Sequence, residues 1–257
     1  MGFKVTILGS GTIAPQLSRS ACAVLIESGD LIMLLDLGPG TIRRLLEYGV
    51  SINEITHLFF SHFHPDHTSE LVPLLFATKY SENHLRVQQL SLYAGQGFND
   101  FFQGLQAAYK DWIVLPGHQL AIHEIDTLAG EAFFIKSVKI TARPVEHRPE
   151  SMAFRFEDPA GTAIVYSGDT DVCDSLTDLA QGADLFICEA AYPDGMKTAG
   201  HLTPSLAGAI AQKSGAKRLV LTHLYPPCDQ VDIAKQAASA YKGPVIVAED
   251  LMSFVFK

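Results

Sequence analysis

The sequence predicts a single α/β domain over residues 1–257, and three observations carry that expectation. Short apolar runs alternate with helix-length segments along the whole chain. Several of those runs stop at an ionisable residue, as expected where strand ends converge on one rim of a layered fold. No Gly/Ser linker, low-complexity block or short-period repeat interrupts them. A chain of 257 residues can bury a large core, and 47 % hydrophobic with 18 % charged residues excludes a disordered tail.

The elements follow in order. Val5 to Leu8 reads as a first strand, because Met1 to Gly9 holds one basic residue and too short an apolar run for a signal peptide. Ala23–Ile26 and Leu31–Asp36 form a hairpin turning at Ser28-Gly29-Asp30. Ile42 to Tyr48 reads as a helix, His57 to Ser61 as a strand, and a further helix starts near Ser69. The middle, from Leu85 to Val145, reads as a strand (Leu90–Tyr93), a helix (Phe98–Tyr109) and several strands. Trp112, with Tyr109 and Ile113, fits either an exposed lid or an aromatic core cluster. In the last third, Ala163–Tyr166 ends at Ser167-Gly168-Asp169, Leu185–Cys188 at Glu189, and Arg218–Leu221 at Thr222-His223. Helices at Ser205–Ser214 and Val231–Tyr241 fit between or after them.

Composition narrows the function classes. A net charge of −9 argues against a broad nucleic-acid face, which would concentrate Lys and Arg. Cys22, Cys173, Cys188 and Cys228 form no C-x-x-C pair and read as reduced core thiols. No apolar stretch approaches the ~18–20 residues that cross a bilayer. A cytoplasmic protein with no membrane contact is expected.

The chemistry concentrates in His62-Phe63-His64-Pro65-Asp66-His67. Residues two apart in an extended segment share a face, so His62 and His64 can clamp one cation. Pro65 then turns the chain and carries Asp66 and His67 towards a second position. Imidazole and carboxylate ligands suit Zn²⁺, Mn²⁺ or Fe²⁺. Unrelated histidines on a polar loop are the competing explanation; three histidines and an aspartate directly after an apolar strand argue against it.

His62-x-His64-x-Asp66-His67 resembles the central motif of the metallo-β-lactamase superfamily. The Leu8-Gly9-Ser10-Gly11-Thr12 loop, the Asp36-Leu37-Gly38 turn, His147, Asp169 and His223 match that superfamily's further elements in order. The resemblance implies a four-layer αββα sandwich and two divalent metal ions, zinc foremost, with manganese or iron as alternatives. It implies that His62, His64 and His147 hold one ion, that Asp66, His67 and His223 hold the other, and that Asp169 lies between them. Beside this stand plainer readings of His147 as a polar-loop residue and of Asp169 as a Gly-Asp turn residue.

Cys188-Glu189-Ala190, Gly200-His201-Leu202-Thr203 and Leu221-Thr222-His223 resemble the ribonuclease Z branch. That resemblance implies that His201 assists phosphodiester cleavage as a proton donor, that Glu189 orients it, that Asp66 takes part in catalysis and that Thr203 contacts phosphate. Thr203 also fits a helix cap, and Glu189 a strand-end salt bridge. The branch's long basic arm, expected between the third histidine and the bridging aspartate, is replaced by a short strand-turn-strand centred on Asp158-Pro159-Ala160-Gly161, and its usual glycine by Pro65. The expected activity is hydrolysis of a small or single-stranded phosphodiester, cyclic nucleotide or RNA-like, by a metal-activated hydroxide. The alternatives are tRNA 3′ processing, disfavoured by the missing arm; carboxyl-ester chemistry as a lactonase, thioesterase or β-lactamase; and a non-catalytic metal-dependent binding protein. A homodimer is implied by the branch alone.

Overall fold

The computed structural model describes residues 2–80, 86 and 88–257; Met1 and Leu85, at the edges of two expected segments, lie outside these. The first half of the chain forms strands β1 (Lys4–Gly9), β2 (Ala23–Ser28), β3 (Leu31–Leu35), β4 (His57–Phe59), β5 (Leu90–Gly95) and β6 (Leu120–Ile125). The second half adds β7 (Glu131–Ile135), β8 (Val138–Pro144), β9 (Met152–Glu157), β10 (Ala163–Tyr166), β11 (Leu185–Glu189), β12 (Leu219–Thr222), β13 (Val245–Val247) and β14 (Met252–Val255). The α-helices among the described residues are α1 (Thr41–Tyr48), α2 (Pro65–Thr68), α3 (Leu71–Tyr80), α4 (Phe98–Tyr109), α5 (Asp174–Leu179), α6 (Pro204–Ser214) and α7 (Ile233–Ala238).

Two seven-stranded sheets result, in the orders β14-β1-β2-β3-β4-β5-β6 and β13-β12-β11-β10-β9-β8-β7. Within them β3 to β6 run parallel, and so do β10 to β13. Parallel neighbours need crossover connections. Helices supply most of them: α1 between β3 and β4, α3 between β4 and β5, α4 between β5 and β6, and α5 to α7 between successive strands from β10 to β13.

The apolar runs are nearly continuous because the strands are covered on both faces. Successive side chains point to opposite faces. On β2, Val24 and Ile26 enter the core between the sheets, while Ala23 and Leu25 join the layer under Leu45 of α1, Leu74 of α3 and Phe98 of α4. On β11, Leu185 and Ile187 face the central core; Phe186 and Cys188 pack with Leu176 of α5, Ile210 of α6 and Ile233 of α7. This alternation makes the expected four layers, helix, sheet, sheet and helix.

Three elements differ from expectation. The helix expected over Val231–Tyr241 is shorter, because Val231 is extended and the Asp232 side chain caps α7 by accepting from the Lys235 amide. The helix expected from Ser69 is preceded by the one-turn α2, whose first residue is Pro65. Trp112 and Tyr109 are exposed while Ile113 is buried, so no aromatic core cluster forms there. No described helix is long and apolar enough to cross a membrane.

Candidate metal centre

Polar groups gather where β3, β4, β10, β11 and β12 end, the usual place for a site in an open α/β layer. Two residues beyond β4, Ser61 is fixed by donating from its amide (2.7 Å) and its hydroxyl (2.8 Å) to the two carboxylate oxygens of Asp36. His62 follows at once. His64 adopts φ −59, ψ 149, the conformation favoured before proline, and Pro65 occupies the first helical position of α2. The proline therefore starts the turn that buries Asp66 and His67.

The second half delivers its groups from separate loops. His147 sits between β8 and β9, Asp169 follows β10, Glu189 ends β11, His201 precedes α6 and His223 follows β12. Gly168 takes φ +57, and a Cβ there would lie 2.6 Å from that of Ser61, so only glycine lets Asp169 approach the His62 loop.

The structure gathers ligand-type atoms into three overlapping groups: His62, His64, His147 and Asp169; Asp66, His67 and His223; and Asp169, His201 and His223. Asp169 presents one oxygen to each side. Its Oδ1 is 3.4 Å from Nε2 of both His67 and His223, and its Oδ2 is 3.7 Å from His62 Nε2 and 3.9 Å from His147 Nε2. Asp66 Oδ2 lies 3.5 Å from His223 Nε2. These separations are long for hydrogen bonds. They suit neighbouring ligands of one ion, since two atoms each ~2.1 Å from a tetrahedral metal are ~3.4 Å apart.

Whether the residues fit a metal is decided by their unpaired atoms. Nε2 of His62, His67 and His223 and Oδ1 of Asp169 are buried without a hydrogen-bond partner. Buried polar atoms are normally paired. Lone pairs and a carboxylate oxygen converging in this way form a donor set for divalent cations. The charges agree. Burial raises Asp169, but His223, His67 and His62 hold it well below the usual carboxylate range. Burial also opposes ionisation of Asp66, yet His223 and His67 bring it down to about 2. His67 is the converse: burial lowers it, and the carboxylates of Asp169 and Asp36 outweigh burial to hold it well above its ordinary value. Around Asp169, Asp66 and His67 the pocket favours positive charge, which a divalent ion would supply. Burial lowers His62 and His147 and keeps those imidazoles neutral, as ligands must be.

His201 belongs to one of the ligand groups but differs from the others. Its Nδ1 lies 3.1 Å from Glu189 Oε1 and 3.9 Å from Asp169 Oδ2. Burial lowers its pKa, and Glu189 and Asp169 reverse this and raise it to about 9. A protonated imidazole is a poor ligand and a good proton donor. Glu189 is fully buried, and accepts from the amides of Thr170 (2.6 Å) and Leu202 (3.2 Å) as well. Thr203 joins no ligand group: it is the N-cap of α6, and its side chain makes no capping bond.

Several structural partners of the site were not singled out from sequence. Asp36, fully buried at φ +58, also lies 2.8 Å from His67 Nδ1 and accepts from the Tyr166 hydroxyl at 2.6 Å. Proton placement on Nδ1 leaves His67 Nε2 free for a metal. The sequence marked the Asp36-Leu37-Gly38 turn as an element of the superfamily, but gave no sign that Asp36 anchors His67 and Ser61. His147 Nδ1 is held likewise, 2.8 Å from the Gly200 carbonyl. Tyr192 and Tyr225 stack at 4.5 Å, with Tyr225 edge-on to His223.

The chain matches the model of a beta-lactamase superfamily domain over residues 33–224. It is 30 % identical over 246 residues to an uncharacterised protein of Mycobacterium tuberculosis, an alignment covering 94 % of this chain and 88 % of that one. Among solved structures it is similar to the metallo-β-lactamase fold protein YhfI of Bacillus subtilis, with TM-score 0.84, 25 % identity and 99 % of each chain covered. It is also similar to the short form of human tRNase Z, with TM-score 0.80, 27 % identity and 98 % of each chain covered. Sequence match, layered fold and donor set lead to one conclusion: this chain belongs to the beta-lactamase superfamily and is a metal-dependent hydrolase with a ribonuclease Z-like structure.

Proposed function

We propose that the protein is a dinuclear-metal phosphodiesterase acting on a small or single-stranded phosphodiester. The observation that carries this reading is the His201–Glu189 pair beside the two ligand groups. An alkoxide leaving a phosphodiester needs a proton, and a protonated His201 held by Glu189 beside the cation sites would supply it.

His62, His64 and His147 would hold one divalent ion, Asp66, His67 and His223 the other, and Asp169 would face both; zinc suits the donor set, with manganese and iron as alternatives. Bound there, two such ions would supply charge neutralisation for the diester and activation of water. The chain's own groups do the rest. Asp66, whose Oδ2 lies 3.5 Å from His223 Nε2 among the ligand atoms, is available to orient the attacking water. Glu189 engages Nδ1 of His201, which leaves Nε2 to protonate the departing oxygen. Thr203, one residue past the amide that Glu189 fixes, supplies a hydroxyl for a phosphate oxygen.

The likeness to human tRNase Z favours a second reading, tRNA 3′ processing. A net charge of −9 and the tight turn at Asp158–Gly161 between β9 and β10 weigh against a tRNA-gripping surface. A cytoplasmic setting accords with four free cysteines, three of them buried. A single domain and a homodimer complete the reading, and light scattering tests the dimer.

Hydrolysis of bis-p-nitrophenyl phosphate after loading with Zn²⁺ or Mn²⁺ is the direct test. Asp66→Ala should abolish turnover, and His201→Ala should lower kcat ~10²–10⁴-fold on alkyl diesters. Full activity of His201→Ala on alkyl diesters, or turnover of lactones or thioesters and of no phosphodiester, overturns the proposal.

A further inference from the structure

His147 and His201 lie on loops from different parts of the sheet, yet one short turn holds both. His147 Nδ1 donates to the Gly200 carbonyl at 2.8 Å, and the Gly200 amide donates to Asp171 Oδ2 at 3.0 Å. The same oxygen accepts from Lys197 Nζ at 2.7 Å, and Lys197 Nζ also donates to the Thr198 carbonyl at 2.9 Å. That carbonyl in turn accepts from the His201 amide at 3.2 Å. Asp171 is itself fixed: its amide donates to the Glu146 carbonyl at 2.7 Å, and its Oδ1 accepts from the Val172 amide at 2.8 Å. Gly200 takes φ +81, and a Cβ there would stand 2.9 Å from His147 Nδ1.

We propose that Asp171 and Lys197 are a positioning pair that sets the 197–200 turn, fixing through Gly200 both the ring of His147 and the reach of His201 towards the leaving group. The inference rests on the reading of His201 as proton donor. Neither residue belongs to a ligand group. A half-exposed ion pair contributes little to global stability. A displacement of ~1 Å at a proton donor, by contrast, costs ~10²-fold in rate. Loss of the pair should therefore leave the fold intact and separate substrates by how much they need a proton.

The test compares zinc-loaded wild type, Asp171→Ala, Lys197→Ala and Lys197→Arg on two diesters. In bis-p-nitrophenyl phosphate the leaving p-nitrophenolate needs no proton; in a nucleoside 2′,3′-cyclic phosphate the leaving alkoxide does. Asp171→Ala and Lys197→Ala should lower kcat on the cyclic diester ~10–100-fold and on the aryl diester less than ~3-fold, with KM little changed and Lys197→Arg restoring most of the loss. A parallel fall on both substrates, or no fall on either, overturns the proposal. A second readout needs no turnover: the Nδ1 proton of His147, hydrogen-bonded to the Gly200 carbonyl, should be protected in the NMR spectrum of the zinc-loaded protein and should shift and lose protection in Asp171→Ala. An unchanged His147 signal overturns the proposal too. If wild type hydrolyses neither diester while Asp171→Ala loses that signal, the phosphodiesterase reading fails and the pair's hold on His147 stands.

Discussion

The first half of the chain brings four polar groups to the rim on one loop, His62 to His67, and ties that loop down with a single buried carboxylate, Asp36. The second half brings five groups, His147, Asp169, Glu189, His201 and His223, from separate strand ends and loops, and ties them with several separate bonds, buried at Glu189 and part-buried at Gly200. A contiguous loop needs one deep anchor; dispersed groups need one each. Damage to the first half should therefore be broad, and damage to the second half selective.

The largest expected effect is at Asp36. Asp36→Ala leaves Ser61, Tyr166 and His67 without their acceptor, and breaking a buried charged network of this kind costs ~3–5 kcal/mol. Metal affinity should fall by at least ~10–100-fold. Urea unfolding and competition with a chelator measure the two; a variant as stable as wild type would remove the single-anchor account. Next comes Gly200→Ala, in the second half. A non-glycine residue at φ +81 costs ~1–2 kcal/mol, and the added methyl presses on His147. Metal should be lost from the His147 side first, seen as biphasic chelator release; loss of both ions together would contradict the contrast.

Two pH effects are smaller and of opposite sign. In the metal-free protein His201 is held at about 9 against an ordinary 6.5. A raised histidine contributes stability that is complete below 6.5 and is lost as pH rises through about 9. Glu189→Gln should move the His201 NMR titration back towards 6.5 and flatten that alkaline loss. In the first half, burial, with Lys136 and His123 nearby, depresses His57 to about 4. The unfolded chain then takes up the proton first, so stability should fall as pH drops from 6.5 towards 4. His57→Phe should reduce this acid dependence, read from urea midpoints at pH 7 and pH 5. An unaltered acid slope would place the sensitivity elsewhere.

The same contrast explains what could be read from sequence. Local patterns were legible: apolar runs such as Ile164–Tyr166 are strands because adjacent residues enter two different cores, and α4 begins and ends where its pattern does. The His62–His67 loop was legible because its groups are neighbours in the chain. The anchoring role of Asp36 was not, although its turn was recognised, because that role depends on Tyr166, 130 residues away. The hold of Asp171 on Gly200 is hidden likewise, since nothing in Gly-Asp-Thr-Asp announces a partner 29 residues on. Helix ends fared worst where a cap decides them, as at Asp232.

Tyr166 lies on β10 of one sheet and donates a hydrogen bond from its hydroxyl to Asp36 at the end of β3 in the other. During synthesis the His62–His67 loop emerges early, but its anchor stays incomplete until β10 has formed and docked, and His223 arrives only after β12. A nascent chain thus exposes the candidate ligands of the first half long before the folded arrangement exists to hold an ion. Stable uptake of metal would then report that both sheets are made and joined, so retention under a chelator could serve as an assay for completed folding.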